Sequence, residues 1–191
     1  MWQTSTKLLR ALNWAEVCLW VAGFVAVGYC ASIEIKAWLA QTEGNHEIEA
    51  GISNTPRAAT GSIVGRLEIP RLGTSVVVFE GTDAGTLDLG AGHWTGSPLP
   101  GEDGNVVMAA HRDTFFRSLR NIRNHDAVDV ATTEGTRHYL VDSTQIVNSN
   151  DLAVLAPTAE PSLTLITCYP FEYFGHAPKR FIVRARLAEG R

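Results

Sequence analysis

The sequence is poor in cysteine, and its few cysteines are unevenly placed. Of three in 191 residues, Cys18 and Cys30 lie in an apolar N-terminal run, which leaves Cys168 as the lone thiol of the remainder. A disulfide within that remainder is excluded. Basic residues are not in excess either: 16 Lys and Arg against 20 Asp and Glu give a net charge of −4. A phosphate-backbone partner calls for a basic domain or stripe, so nucleic acid is set aside. The histidines lack metal spacing. His46, His125, His138 and His176 form no ligand pattern, and His46-Glu47 has no second histidine to complete a zinc-protease helix. There is no repeat and no low-complexity tract. With 45% hydrophobic positions, the chain can bury one core of common size and carry a small appendage.

The appendage is N-terminal. From Val17 to Ile33 no residue is charged, and Trp14 and Trp38 stand near the ends of the run. A membrane span needs about 17 to 25 residues, so residues 17–39 are expected to be an anchor helix. Lys7 and Arg10 precede it with no acidic residue before Glu16, which assigns residues 1–16 to the cytoplasm and the bulk of the chain to the far side. The alternative is a cleaved signal peptide, since Ala26-Val27-Gly28 has cleavage-site spacing. The apolar stretch continues past that site and favours a retained anchor. Residues 40–60 are mixed and polar, with Gly44, Gly51 and Asn54-Thr55-Pro56, and read as a linker. Removing everything before about Thr60 is therefore expected to leave an intact domain, residues 61–191.

That domain is a series of short strands separated by turn residues, the pattern of an all-β barrel or sandwich. Strands are expected at 62–69, 75–79, 105–110, 127–132, 137–146, 162–167 and 181–187. Breaks fall at Pro70-Arg71-Leu72-Gly73, Pro98-Leu99-Pro100-Gly101, Glu134-Gly135 and Ala156-Pro157. Short helical turns are expected at 82–89, 115–120 and 151–155.

The chemistry gathers where strands end. Leu163, Leu165 and Thr167 alternate with Thr164 and Ile166, and Pro170 cannot donate to a sheet ladder, so Cys168 sits at a strand mouth. A solitary thiol outside the membrane is either buried and inert or kept reactive; a strand end favours the reactive reading. The next strand would return Arg180 to the same rim. His111 ends another apolar run, Asn105-Val106-Val107-Met108-Ala109-Ala110. An imidazole can take the thiol proton and return one to a leaving amine, while arginine can donate to an oxyanion or hold a substrate carbonyl. The competing reading of His111 is a strand-end histidine satisfied by Asp113, and that of Arg180 is one cation among Lys179, Arg184 and Arg186. Thr167, beside the thiol, and His93, in Gly90-Ala91-Gly92-His93-Trp94-Thr95-Gly96, are candidates for a peptide groove; the His93 segment reads equally as a loop packed around Trp94.

Thr164-Leu165-Ile166-Thr167-Cys168, with His111 upstream and Arg180 in Ala177-Pro178-Lys179-Arg180-Phe181-Ile182-Val183, resembles the sortases, envelope-anchored cysteine transpeptidases. The run Cys168-Tyr169-Pro170-Phe171 looks most like class D. The resemblance covers about residues 61–187 and implies an eight-stranded barrel with short helices after one transmembrane helix, one strand more than the seven counted above. An extension or a split of 137–146 would supply the eighth. It also implies catalytic Cys168, His111 and Arg180, no cofactor, a substrate protein with a C-terminal sorting signal of the L-P-x-T-G or L-P-x-T-A kind, and an amine acceptor such as a wall precursor or a pilin lysine. Some sortases use calcium, but no ligand cluster stands out here. A cell-wall L,D-transpeptidase normally has its cysteine after a Ser-His-Gly type run, unlike Leu165-Ile166-Thr167-Cys168. A non-catalytic envelope module that binds peptides is the alternative from another class.

Overall fold

The computed structural model describes residues 3–50, 59–173 and 175–188. Helix α1, Gln3–Ala50, precedes eight strands: β1 Ile63–Ile69, β2 Thr74–Glu80, β3 Ala91–His93, β4 Asn105–Ala109, β5 Ala127–Thr132, β6 Gly135–Asn148, β7 Ser162–Tyr169 and β8 Lys179–Leu187. A short helix α2, Ala84–Leu89, joins β2 to β3, and single 3₁₀ turns occupy Pro70–Leu72, Arg117–Asn121 and Leu152–Leu155.

The strands close into a barrel in the order β1-β2-β3-β4-β7-β8-β6-β5, with β5 returning to β1. Most pairs are antiparallel; β2 with β3 and β4 with β7 are parallel. Inward positions alternate along each strand as the pleat requires, and Leu67, Ile69, Val76, Val78, Val106, Met108, Val128, Val130, Leu163, Leu165 and Val183 fill the interior. At about 25 cal/mol per Å² of apolar surface removed from water, such a filled interior supplies the main driving force for closure.

The eighth strand is β3, not a split of the long run, because β6 is one strand from Gly135 to Asn148. β3 has three residues in a glycine-rich segment, too short for period-two alternation to register. Glycine is needed there for room: a Cβ on Gly92 would lie 2.2 Å from the carbonyl oxygen of Gly81.

Two compact units divide the chain, residues 1–38 and 39–191. In the first, the described part of α1 exposes its apolar side chains, among them Trp20, Phe24, Val25 and Val27. The helix is long and apolar enough to cross a membrane, with mean hydropathy 1.7 over its most apolar window within Asn13–His46. The second unit begins on the same helix, and here the expected linker needs correction: α1 runs past Leu39 to Ala50, and residues 39–50 belong with the barrel. Gln41 replaces a missing strand partner. Its Oε1 accepts from the amide of Val77 at 2.7 Å, and its Nε2 donates to Leu89 O at 2.7 Å, where β3 no longer reaches along β2. The Asn54-Thr55-Pro56 part of that linker lies outside the described residues.

Candidate active site

β7 and β8 form an antiparallel pair in which Cys168 stands directly opposite Arg180. Directly opposed residues in such a pair have Cα atoms about 4.5–5.5 Å apart. Arg180 stands twelve positions past Cys168 in the chain, and the register makes them neighbours. Ile166 opposite Ile182 and Thr164 opposite Arg184 share their face of the sheet, whereas Leu163, Leu165, Val183 and Ala185 turn inward. Cys168 is half-buried and free of any disulfide.

His111 reaches the same end by another route. β4 runs parallel to β7 with Ala109 opposite Ile166, and the ladder carries one step further, since the amide of Ala110 donates to Ile166 O at 3.2 Å. Thr167 then locks the two strand ends together, its buried hydroxyl donating to Ala110 O at 2.8 Å. β4 and β7 therefore stop together, and the residue after Ala110 is His111. Two parallel strands and one antiparallel neighbour present a histidine, a thiol and an arginine on one rim.

Between them lies a cleft of about 370 Å³ lined by His111, Arg112, Asp113, Ser149, Cys168, Gly175, His176, Ala177 and Arg180. Its wall carries more cationic and imidazole groups than carboxylates, which suits an oxygen that acquires negative charge during reaction. Arg180 Nη1 donates to Ala177 O at 3.2 Å and Lys179 O at 3.0 Å, which holds the guanidinium over the loop joining β7 to β8. Two of the competing cations are engaged elsewhere: Arg184 donates to Val154 O, and Arg186 pairs with Asp142.

The carboxylate facing His111 is not Asp113. Asp88, near the end of α2, lies 3.5 Å from His111 Nε2, and both side chains are exposed, so water screens the pair heavily. α2 is aimed by its N-cap, where Asp83 accepts from the amide of Thr86 at 3.2 Å and from its hydroxyl at 2.6 Å; the Thr86 hydroxyl is the main cause that holds the Asp83 carboxyl below its ordinary range. Asp113 instead takes a hydrogen bond from Arg112 Nε at 3.3 Å.

Two residues expected at the substrate surface are inside instead. Thr167 is 2% exposed and its hydroxyl is used in the strand lock. His93 is 1% exposed, with Nδ1 2.7 Å from Glu80 Oε2 and Nε2 2.9 Å from Pro98 O, and neither residue lines the cleft. The packed-loop reading of the His93 segment fits this placement. Conversely, Arg112, Ser149 and His176 line the cleft and were not singled out. Only the adjacency of Arg112 to His111 offered a signal. Among the described residues, no group of three or more His, Cys, Asp or Glu is placed to hold a metal ion.

The sortase domain matches residues 67–188. This chain belongs to the sortase family. It is 39% identical over 125 residues to Sortase D of Bacillus subtilis, covering 65% of this chain and 63% of that protein. To Sortase A of Listeria monocytogenes it is 28% identical over 131 residues, covering 66% and 57%. The matched stretch thus spans less than two thirds of each curated relative. Among solved structures, a Clostridium perfringens Sortase D5 transpeptidase superimposes with TM-score 0.70 at 23% identity, covering 83% of this chain and 99% of that one. The SrtA sortase from Actinomyces oris superimposes with TM-score 0.63 at 28% identity, covering 70% and 83%. The closed eight-stranded barrel is the sortase fold, and the class D resemblance accords with the match to a Sortase D.

Proposed function

We propose that this sortase is a membrane-anchored cysteine transpeptidase of the cell envelope. It cleaves a C-terminal L-P-x-T-G or L-P-x-T-A signal after threonine and transfers the protein to an amine. The observation that carries the reading is the cross-strand opposition of Cys168 and Arg180 beside the β4 end that bears His111. The Cys168 thiolate sulfur attacks the threonine carbonyl carbon, and Arg180 donates to the oxygen that gains charge. The C–N bond breaks as His111 gives its proton to the departing amine, leaving a thioester. An acceptor amine then attacks that carbonyl and loses a proton to His111, and the thiolate is expelled. The apolar helix is the anchor, with residues 1–16 cytoplasmic and the barrel on the outer side.

Cys168→Ala tests the reading. Transfer and hydrolysis of a sorting peptide should both be lost while the barrel stays folded, because one sulfur at a strand mouth is all that is removed. Mass spectrometry of the wild type under substrate excess should find the acyl group on the tryptic peptide containing Cys168. An acyl adduct on any other residue would refute the assignment.

A further inference from the structure

Arg112 is 6% exposed, although it is a charged residue on the wall of a cleft. Burying a guanidinium is costly unless its donors are matched; here Nε meets Asp113 at 3.3 Å, and the two terminal nitrogens are matched by one loop. Nη1 donates to Pro170 O at 2.9 Å, Nη2 to Tyr173 O and, at 3.4 Å, to Gly175 O, while the guanidinium carbon lies 5.9 Å from the centre of the Tyr173 ring. Three backbone carbonyls from the segment joining β7 to β8 thus converge on one planar donor. That segment leaves β7 two residues after Cys168, and near its far end Ala177 O accepts from Arg180 Nη1. Arg112 itself follows His111 directly.

We propose that Arg112 is a positioning residue for the transpeptidation reaction. It grips the β7–β8 loop from the end of β4, which fixes the spacing between His111 on one side and the Cys168–Arg180 pair on the other. The inference rests on the catalytic reading of those three residues. A second basic side chain on the loop, Arg120, is far more open to water: over the Phe171 ring and 3.5 Å from Glu172, it meets a carboxylate that is 87% exposed. A lysine at 112 would keep the charge but would bring its donors on one nitrogen, which cannot span three separated carbonyls. Because Arg112 acts through the loop that also holds Arg180, its effect should shrink once Arg180 is changed.

The test uses the full chain in detergent micelles, with Cys168→Ala as the reference for loss of chemistry. Arg112→Lys should lower the single-turnover acylation rate about 100-fold, the scale of a misplacement near 1 Å, and should leave KM within a few-fold. In an Arg180→Lys background the same change should cost only a few-fold more. Arg112→Ala should regain at least tenfold of its lost rate in guanidinium below denaturing concentration and nothing in sodium chloride of equal ionic strength. A normal acylation rate in Arg112→Lys, with Cys168→Ala inactive, overturns the proposal and leaves the catalytic reading standing. Losses that multiply in the double variant also overturn it, since they place Arg112 outside the loop's influence on Arg180. Activity in Cys168→Ala would overturn both readings together.

Discussion

His93 and His111 flank the same strand and have opposite fates. His93 ends β3 opposite Met108 of β4, almost wholly buried, with both ring nitrogens occupied by Glu80 and Pro98 O. His111 lies just past the end of β4, with a side chain 44% exposed on a cleft wall and the solvated Asp88 carboxylate 3.5 Å from Nε2. The difference suits the two to different work: a nitrogen that can meet a moving partner fits the proton transfer proposed for His111, and two pinned nitrogens fit a part in the fold. Exchanging their consequences by mutation is the most direct way to break the comparison. His111→Gln should lower kcat/KM by roughly 100- to 10,000-fold, the range for losing one general acid–base group, with the thermal midpoint little changed. His93→Ala should do the reverse, keeping turnover per folded molecule and destabilising the barrel by about 3–5 kcal/mol, because Glu80 is left without its partner in the interior. A His93 variant that folds normally but turns over slowly would mean that this buried pair takes part in catalysis.

Arg180 and Arg184 offer a finer comparison on one strand. They share a face of β8, yet only Arg180 stands opposite the thiol, while Arg184 is spent on Val154 O. Arg180→Lys should cost about 100- to 1,000-fold in kcat, the scale of losing one oxyanion donor, because an ammonium lacks the planar fork. Arg184→Lys should leave kcat unchanged. Equal losses at the two positions, in a steady-state assay with sorting peptide, would remove the distinction.

The elements with clear periodicity were legible in advance. β5 is found at its expected bounds, and β1, β2, β4, β6, β7 and β8 differ from expectation by two residues or fewer at either end. Pro170 and Ala110-His111 mark strand ends that the structure places side by side, which is why the site could be assembled from local signals. What could not be read was pairing with something distant. β3 exists because β2 and β4 hold it on either side, and no period emerges from three residues. Residues 39–50 continue as helix on the barrel because Gln41 completes the hydrogen bonding of β2, a non-local demand written in one amide. Nothing local marks Arg112 for burial, since the three carbonyls it meets come from 58 to 63 positions away.

The two ends of the expected linker give the next test. A domain starting at Leu39 keeps the Gln41 bridge, and one starting at Thr60 exposes the amide of Val77 and the carbonyl of Leu89. The shorter form should be less stable by about 1–3 kcal/mol, the cost of leaving backbone groups unpaired, and Gln41→Ala in the longer form should reproduce most of that loss. Urea unfolding of the three proteins would decide it. Equal midpoints would show that water replaces Gln41 without penalty, and the boundary at Thr60 would then be adequate.

The smallest expected effect concerns acid, and it compares the candidate active-site cleft with a polar cluster that does not line it. Asp126, 7% exposed ahead of β5, accepts from Nε and Nη2 of Arg71 in the turn between β1 and β2, and from the amide of Arg123 at 2.7 Å. The Arg71 hydrogen bond is the largest cause that holds its carboxyl below the usual range, against a desolvation that pushes the other way. A carboxylate lowered in the folded state binds its proton more readily when unfolded. Its contribution to stability is therefore complete above the ordinary value near 3.9 and fades as pH falls through the lower folded value. Arg71 is 39% exposed, so screening by water keeps the contribution small. Asp126→Asn should thus lower the thermal midpoint at neutral pH and flatten its decline below about pH 4, while the pH dependence of peptide transfer by the folded enzyme stays that of the wild type. An unaltered acid limb in the Asn variant would assign the acid sensitivity to other carboxylates, and an altered transfer profile would show that the turn holding Arg71 communicates with the cleft after all.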